Sequence, residues 1–343
     1  MNSLWIPLLL AAPSPSLRWL VLRDLLRRPE DDPELLELES LRLSDPLVIG
    51  LLEAQTAEGF WPGFGLSGNK GTLQGTSQAL VRLGTLGFGP DFPAVRRGAE
   101  FLFRQQKKDG SWPLSSDLER GRTSNYDMIP LQTAMPLRGL ATAGYATDPR
   151  AERAFEWLLA QRLDDGAWPT GTASGTYGRV AGYRRLPHSR WGCRSNSTGV
   201  LLCLANHPQR RFGPDAQRVL DHLLSRETRD RHALGFEVAR IIGAEKTRGL
   251  FTYFAQFDIA LVLELCSCIG ASLSDDRVAS LVTYVQSLQG PYGMWQYVSH
   301  PQASRWLTFN LLRSLSRIDE GNDWFSLEPR TPFQPYLRRA LRH

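Results

Sequence analysis

Two carboxyl groups stand where an apolar helix begins beside aromatic side chains. Asp258 opens the run DIALVLELCSCIG and follows Phe251, Tyr253, Phe254 and Phe257. A carboxyl at the edge of such a cluster loses hydration, which raises its pKa and suits it to general-acid work. The aromatic faces beside it attract positive charge. The same position suits a helix N-cap, whose side chain accepts a backbone N–H, so acid and cap both stand open for Asp258. Asp127, next to Tyr126 in TSNYDMIPLQ, is the alternative acid and is equally placed to be a loop or cap residue. A basic cluster lies in GYRRLPHSRWGCRSNS, residues 182–197, with Arg184, Arg185, His188, Arg190, Trp191 and Arg194. Guanidinium groups hold phosphate through paired hydrogen bonds, and helix-start amides add donors. The other reading of that stretch is a solvated loop whose arginines pair with neighbouring loops.

No metal site or cofactor is expected. His188, Cys193 and Asp258 could converge on zinc, but no local ligand spacing marks them, and nothing supports zinc or magnesium. No Ser/His/Asp elbow, P-loop or dinucleotide glycine motif occurs. The net charge of +5 is compatible with an anionic ligand or a peripheral membrane contact. Lys and Arg are scattered rather than gathered in a stripe, which argues against nucleic acid as a partner. The four cysteines show no disulfide framework, so reduced thiols and a cytoplasmic location are expected. The short apolar run Trp5–Ala12 has no basic residues before it and is not expected to be a signal peptide. No stretch has the 18 or so apolar residues that a membrane span requires.

The elements that must position these residues are repeated. Gln-x-x-x-Gly-x-Trp occurs as QTAEGFW, QKKDGSW and QGPYGMW, and as QRLDDGAW with one extra residue. Trp61, Trp112 and Trp168 lie 51 and 56 residues apart, and Trp295 follows 127 residues later, so one degenerate unit lies between. Each unit reads as an apolar inner helix, a Pro/Gly/Asp turn and an amphipathic outer helix, the pattern of an inner wall within a solvated shell. Inner helices are predicted to start near Leu17, Thr76, Gln132, Asn196, Asp258 and Arg305. The units span roughly 15–61, 76–112, 132–168, 196–227, 258–295 and 305–320, with a Pro-rich tail over 321–343. The reading is one all-α domain over 1–343, an (α/α)6 toroid. In the Gln–Gly–Trp element, Gly is expected at a left-handed helix C-cap, Gln on orphan backbone groups, and the Trp ring over the Gln side chain.

These motifs resemble the QW repeats of squalene and oxidosqualene cyclases, and the layout resembles the α/α toroid shared with protein prenyltransferase β subunits. The resemblance covers roughly residues 15–320. It implies an isoprenoid-handling enzyme that holds a polyprenyl or prenyl diphosphate chain in a central apolar cavity. Asp258 or Asp127 would then serve as the acid, and the aromatic side chains would stabilise carbocations. The departures are specific. Squalene cyclases have two barrels where this chain has one. Their Asp-x-Asp-Asp motif does not occur, nor does the Asp-x-Cys of zinc prenyltransferases. A non-catalytic binding protein is the alternative. A glycan-active toroid using Asp127 and Asp258 as paired carboxylates is a third reading.

Overall fold

Proline and aspartate mark where the helices begin. Proline at the first helical position has no N–H to leave unsatisfied, and a preceding Asp or Ser accepts one of the orphan amides. The computed structural model describes residues 5–63, 71–112, 130–162, 166, 168, 193–225, 232–245, 257–290 and 292–319. Among these, α1 is Trp5–Leu10, α2 Pro15–Leu20, α3 Pro33–Leu41, α4 Pro46–Glu53, α5 Thr72–Thr85, α6 Pro93–Arg104 and α7 Pro130–Leu140. Then follow α8 Pro149–Ala160, α9 Arg194–Ala205, α10 Pro214–Leu224, α11 Phe236–Ile241, α12 Ile259–Ile269, α13 Asp276–Ser287 and α14 Ser304–Asp319. Ser14 caps α2, Asp32 caps α3, Asp45 caps α4 and Asp148 caps α8, each just before a proline.

The inner helices are α2, α5, α7, α9, α12 and α14, each starting within four residues of its predicted position. Their neighbours run in order: α5 packs on α7, α7 on α9, α9 on α12 and α12 on α14. The π turn Val21–Leu25 that continues α2 then meets α14 and closes the ring. Arg313 of α14 stands at that seam, donating to Glu264 of α12 at 2.9 Å and lying 3.6 Å from Asp24 of the π turn. Arg42, fully buried, ties the first unit to the second: its Nη2 donates to the Leu86 carbonyl at 2.7 Å, and its guanidinium covers the Trp19 and Phe88 rings. The outer helices α6, α8, α10 and α13 each pack on the inner helix before them. The fold is an all-α toroid.

The repeated staple has a consistent geometry. Indole Nε1 of Trp61, Trp112, Trp168 and Trp295 donates to the carbonyl of Leu51, Leu102, Leu158 and Val285 respectively, at 2.6–2.8 Å and ten residues earlier each time. The backbone N–H of the same four residues donates to Thr76, Thr133, Ser197 and Thr308 on the following inner helix. Each Trp thus ties the end of one outer helix to the start of the next inner one. Nε2 of Gln106 donates to Gly110 O and to Arg150 O of the next outer helix, both at 2.9 Å, and Gln55 does the same to Gly59 and Ala94. The expected left-handed glycine is present, but it lies in a turn beyond the helix: α6 is capped at Gln105, whereas Gly110 has φ 96°. A Cβ at Gly110 would come 2.4 Å from the Arg153 carbonyl, so the turn sits directly on the next outer helix.

The junction without a Gln–Gly–Trp copy lies between α10 and α13, and a buried ion cluster occupies it. Arg277, the second residue of α13, donates to Asp221 Oδ1 at 2.8 Å, Ser225 Oγ at 2.6 Å and Asp275 Oδ2 at 2.5 Å. Arg150, the second residue of α8, makes the corresponding reach to Glu100. That pair is part-exposed, with 34% and 44% of its side chains accessible, against 1% and 3% for Arg277 and Asp221.

Candidate functional site

One stretch departs from the repeat. Between α10 and α12 the chain forms a two-residue strand β1, His232–Ala233, turns at Gly235 with φ 85°, and enters α11. Strand β1 pairs in parallel with β2, Phe257–Asp258, placing His232 beside Phe257 and Ala233 beside Asp258. Helix α11 packs against α5, α12 and α14. Helices α5 and α12 are not ring neighbours, since α7 and α9 stand between them on one side and α14 and α2 on the other. An element touching both lies inside the ring. Accordingly Glu237, Val238, Ala239, Arg240 and Ile241 are all buried.

Asp258 holds this insert in place. Its Oδ1 accepts the N–H of Gly235 at 2.8 Å and of Ala260 at 3.2 Å, and its Oδ2 accepts the N–H of Glu237 at 2.7 Å. One carboxyl therefore caps the starts of both α11 and α12. It is 4% exposed. Burial pushes its pKa up to about 6; the Glu237 and Gly235 amides act against this, and the Glu237 carboxylate adds to it. Phe257, just before it, is buried in the strand pair.

Next to Asp258 lies a buried charged cluster. Glu237 Oε1 meets Arg138 Nη1 of α7 at 2.7 Å and Arg240 Nη2 at 2.6 Å, while Arg240 Nε donates to Oε2 at 2.7 Å. Burial alone would raise the Glu237 pKa, but the Arg240 and Arg138 guanidiniums overcome it and hold the group low. Past α11, Glu245 accepts the Tyr297 hydroxyl at 2.9 Å and lies 3.4 Å from His300. Burial, and then that bond to Glu245, raise the Tyr297 pKa. His232 shares a 3.2 Å hydrogen bond with Tyr284, and burial lowers its pKa.

Of the residues singled out from sequence, Asp258 and Phe257 fall together at this insert. Arg194 is the first residue of α9, with its side chain outside the description. Asp127, Tyr126, Arg184, Arg185, His188, Arg190, Trp191, Tyr253 and Phe254 lie outside the described residues. Sequence reasoning missed Glu237, Arg240 and Arg138. Their signal was a lone Arg within the apolar run QTAMPLRGLATAG and an i, i+3 Glu–Arg pair in FEVARI. Among the described residues no three His, Cys, Asp or Glu side chains come together as metal ligands. The four cysteines are free thiols, and no described helix is long and apolar enough to cross a membrane.

Residues 45–181 match the squalene-hopene cyclase C-terminal domain family. The squalene–hopene cyclase of Bradyrhizobium diazoefficiens is 30% identical over 149 residues, covering 40% of this chain and 22% of that protein. The lanosterol synthase of Candida albicans is 28% identical over 104 residues, covering 29% of this chain and 14% of that protein. The chain thus matches about a fifth or less of these relatives' own length. A type II terpene cyclase, MstE from Scytonema, solved with geranylgeranyl dihydroxybenzoate as substrate, is similar at TM-score 0.47 and 17% identity, over 80% of this chain and 75% of that one. The family match falls on units whose staples have one common geometry, and over residues 45–181 the chain is similar to the squalene-hopene cyclase C-terminal domain.

Proposed function

We propose that the chain is a terpene cyclase-like enzyme that protonates a polyprenyl or prenyl diphosphate chain inside the ring, with Asp258 as the acid. The observation that carries this is a buried carboxyl on the inner wall whose pKa is pushed up to about 6. In the step envisaged, the carboxyl O–H bond breaks and the proton goes to an alkene carbon. The alkene π pair forms the new C–H bond, leaving a tertiary carbocation and the Asp258 carboxylate. Burial favours the neutral acid beforehand. The Gly235, Glu237 and Ala260 amides stabilise the carboxylate once the proton has left. Turnover of squalene or geranylgeranyl diphosphate by the purified chain, followed by mass spectrometry of the products, tests this. Activity should fall as pH rises through about 6, because the acid must start protonated. Asp258→Asn should abolish turnover while ligand still binds, and Asp127→Asn should do less. If Asp258→Asn retains turnover and loses only about 1 kcal/mol of stability, the residue is a cap.

One observation favours the second reading, a non-catalytic binding protein: the hydrogen bonds of Asp258 all go to backbone, and α11 fills space inside the ring. The pH dependence of stability is expected under either reading. The folded pKa of about 6 lies above the ordinary 3.8, so the folded state binds the proton more tightly. The contribution of Asp258 is full below pH about 4 and is lost as pH rises through about 6. Chemical denaturation at pH 4.5 and 7 should show this decline in the parent protein and not in Asp258→Asn.

A further inference from the structure

Beside the cluster inside the ring stands an arginine that Glu237 does not take. Glu237 takes both Arg138 and Arg240. The Asp258 oxygens are occupied by backbone amides. A third guanidinium, Arg82 in the last turn of α5, is half-buried, and its Nε is fully buried without a hydrogen bond. No ion pair is made to it among the described residues, and the charge acting on it is that of Arg240, a like charge. Gly243, at φ 79°, brings the turn after α11 against it: a Cβ there would sit 3.0 Å from Arg82 Nη2. One helical turn earlier on the same face of α5, Gln78 has its Nε2 buried and also without a hydrogen bond. Two buried donors in register, one of them on a cation, form an arrangement that lacks an acceptor. Burying such groups unsatisfied is costly, and an oxyanion would supply the missing acceptors to both at once.

We propose that Arg82, with Gln78 one turn before it, is the binding site for the anionic head group, carboxylate or phosphate, of an otherwise apolar ligand held inside the ring. This rests on the isoprenoid reading above and narrows it: the preferred ligand carries a charged head, and a neutral hydrocarbon is the poorer one. Arg82 is a binding residue here and takes no part in proton transfer.

The test is titration calorimetry of the full chain with geranylgeranyl diphosphate, geranylgeranoic acid, geranylgeraniol and inorganic pyrophosphate, on the parent protein, Arg82→Met and Arg82→Lys. At least one anionic isoprenoid should bind ten-fold or more tighter than the alcohol, and whether the diphosphate or the acid is stronger tells which head group the site takes. Arg82→Met should lose that preference and leave the alcohol unchanged, with Arg82→Lys intermediate. The same Met variant should melt higher than the parent without ligand, because it removes a buried cation that has no counter-ion; a structural role would move the melting temperature down. Isoprenoids that bind equally well whatever their head group would overturn the site and leave the isoprenoid reading standing. Pyrophosphate that binds through Arg82 while no isoprenoid binds would uphold the site and overturn the isoprenoid reading. No binding of any probe overturns both. A Met variant that melts lower and keeps the anion preference also overturns the site.

Discussion

Replacing Trp112 with alanine should cost about 3–5 kcal/mol of stability, the range for deleting a large buried aromatic. The ring is wholly buried, and its Nε1 donates to the Leu102 carbonyl at 2.8 Å. Alanine would empty the space between α6 and α7 and remove the indole donor from that carbonyl. Trp112→Phe separates the two effects, since it keeps most of the ring and removes only the N–H; the Leu102 carbonyl still accepts the Gln105 N–H at 3.0 Å, so the loss is that of one hydrogen bond, about 1 kcal/mol. Denaturant melts of both variants check this. If Trp112→Ala unfolds at the parent midpoint, the staple does not hold the units together.

Arg277→Met should be as damaging, about 3–5 kcal/mol, through charge rather than volume. It would leave Asp221 and Asp275, 2% and 1% exposed, buried without their guanidinium. Arg150→Met at the same position of α8 is the matched control. Its partner Glu100 is part-exposed, so the salt bridge itself is worth about 1 kcal/mol or less. Equal losses in the two variants would contradict the view that burial sets the difference.

The ring was readable because its instructions are repeated. Four Gln–Gly–Trp copies, and prolines preceded by Asp or Ser, each mark a local event that needs no distant partner. The gap in that series between Trp168 and Trp295 was readable too. What filled it was not: Arg277 and Asp221 are 56 residues apart, and nothing local links them. The site shows the same division. Asp258 could be found from its place at the head of an apolar helix, and both the raised pKa and the capping expected there are present together. That the same carboxyl also starts α11 depends on β1 and β2 meeting across 25 residues, as Ala233 pairs with Asp258, a contact with no periodic signature. Glu237 and Arg138 come together only because the insert enters the ring, 99 residues along from one to the other.

The contact between α14 and Val21–Leu25 gives the architecture a property that open helical arrays lack. In an open array the outermost repeats have one neighbour, fray first and need polar caps. Here every unit has two neighbours, so there is no natural end at which melting can start, and a lesion in any one seam is shared around the circle. With Arg313 touching both α12 and the π turn, the last unit acts as a keystone: it bears on the first as well as on the fifth.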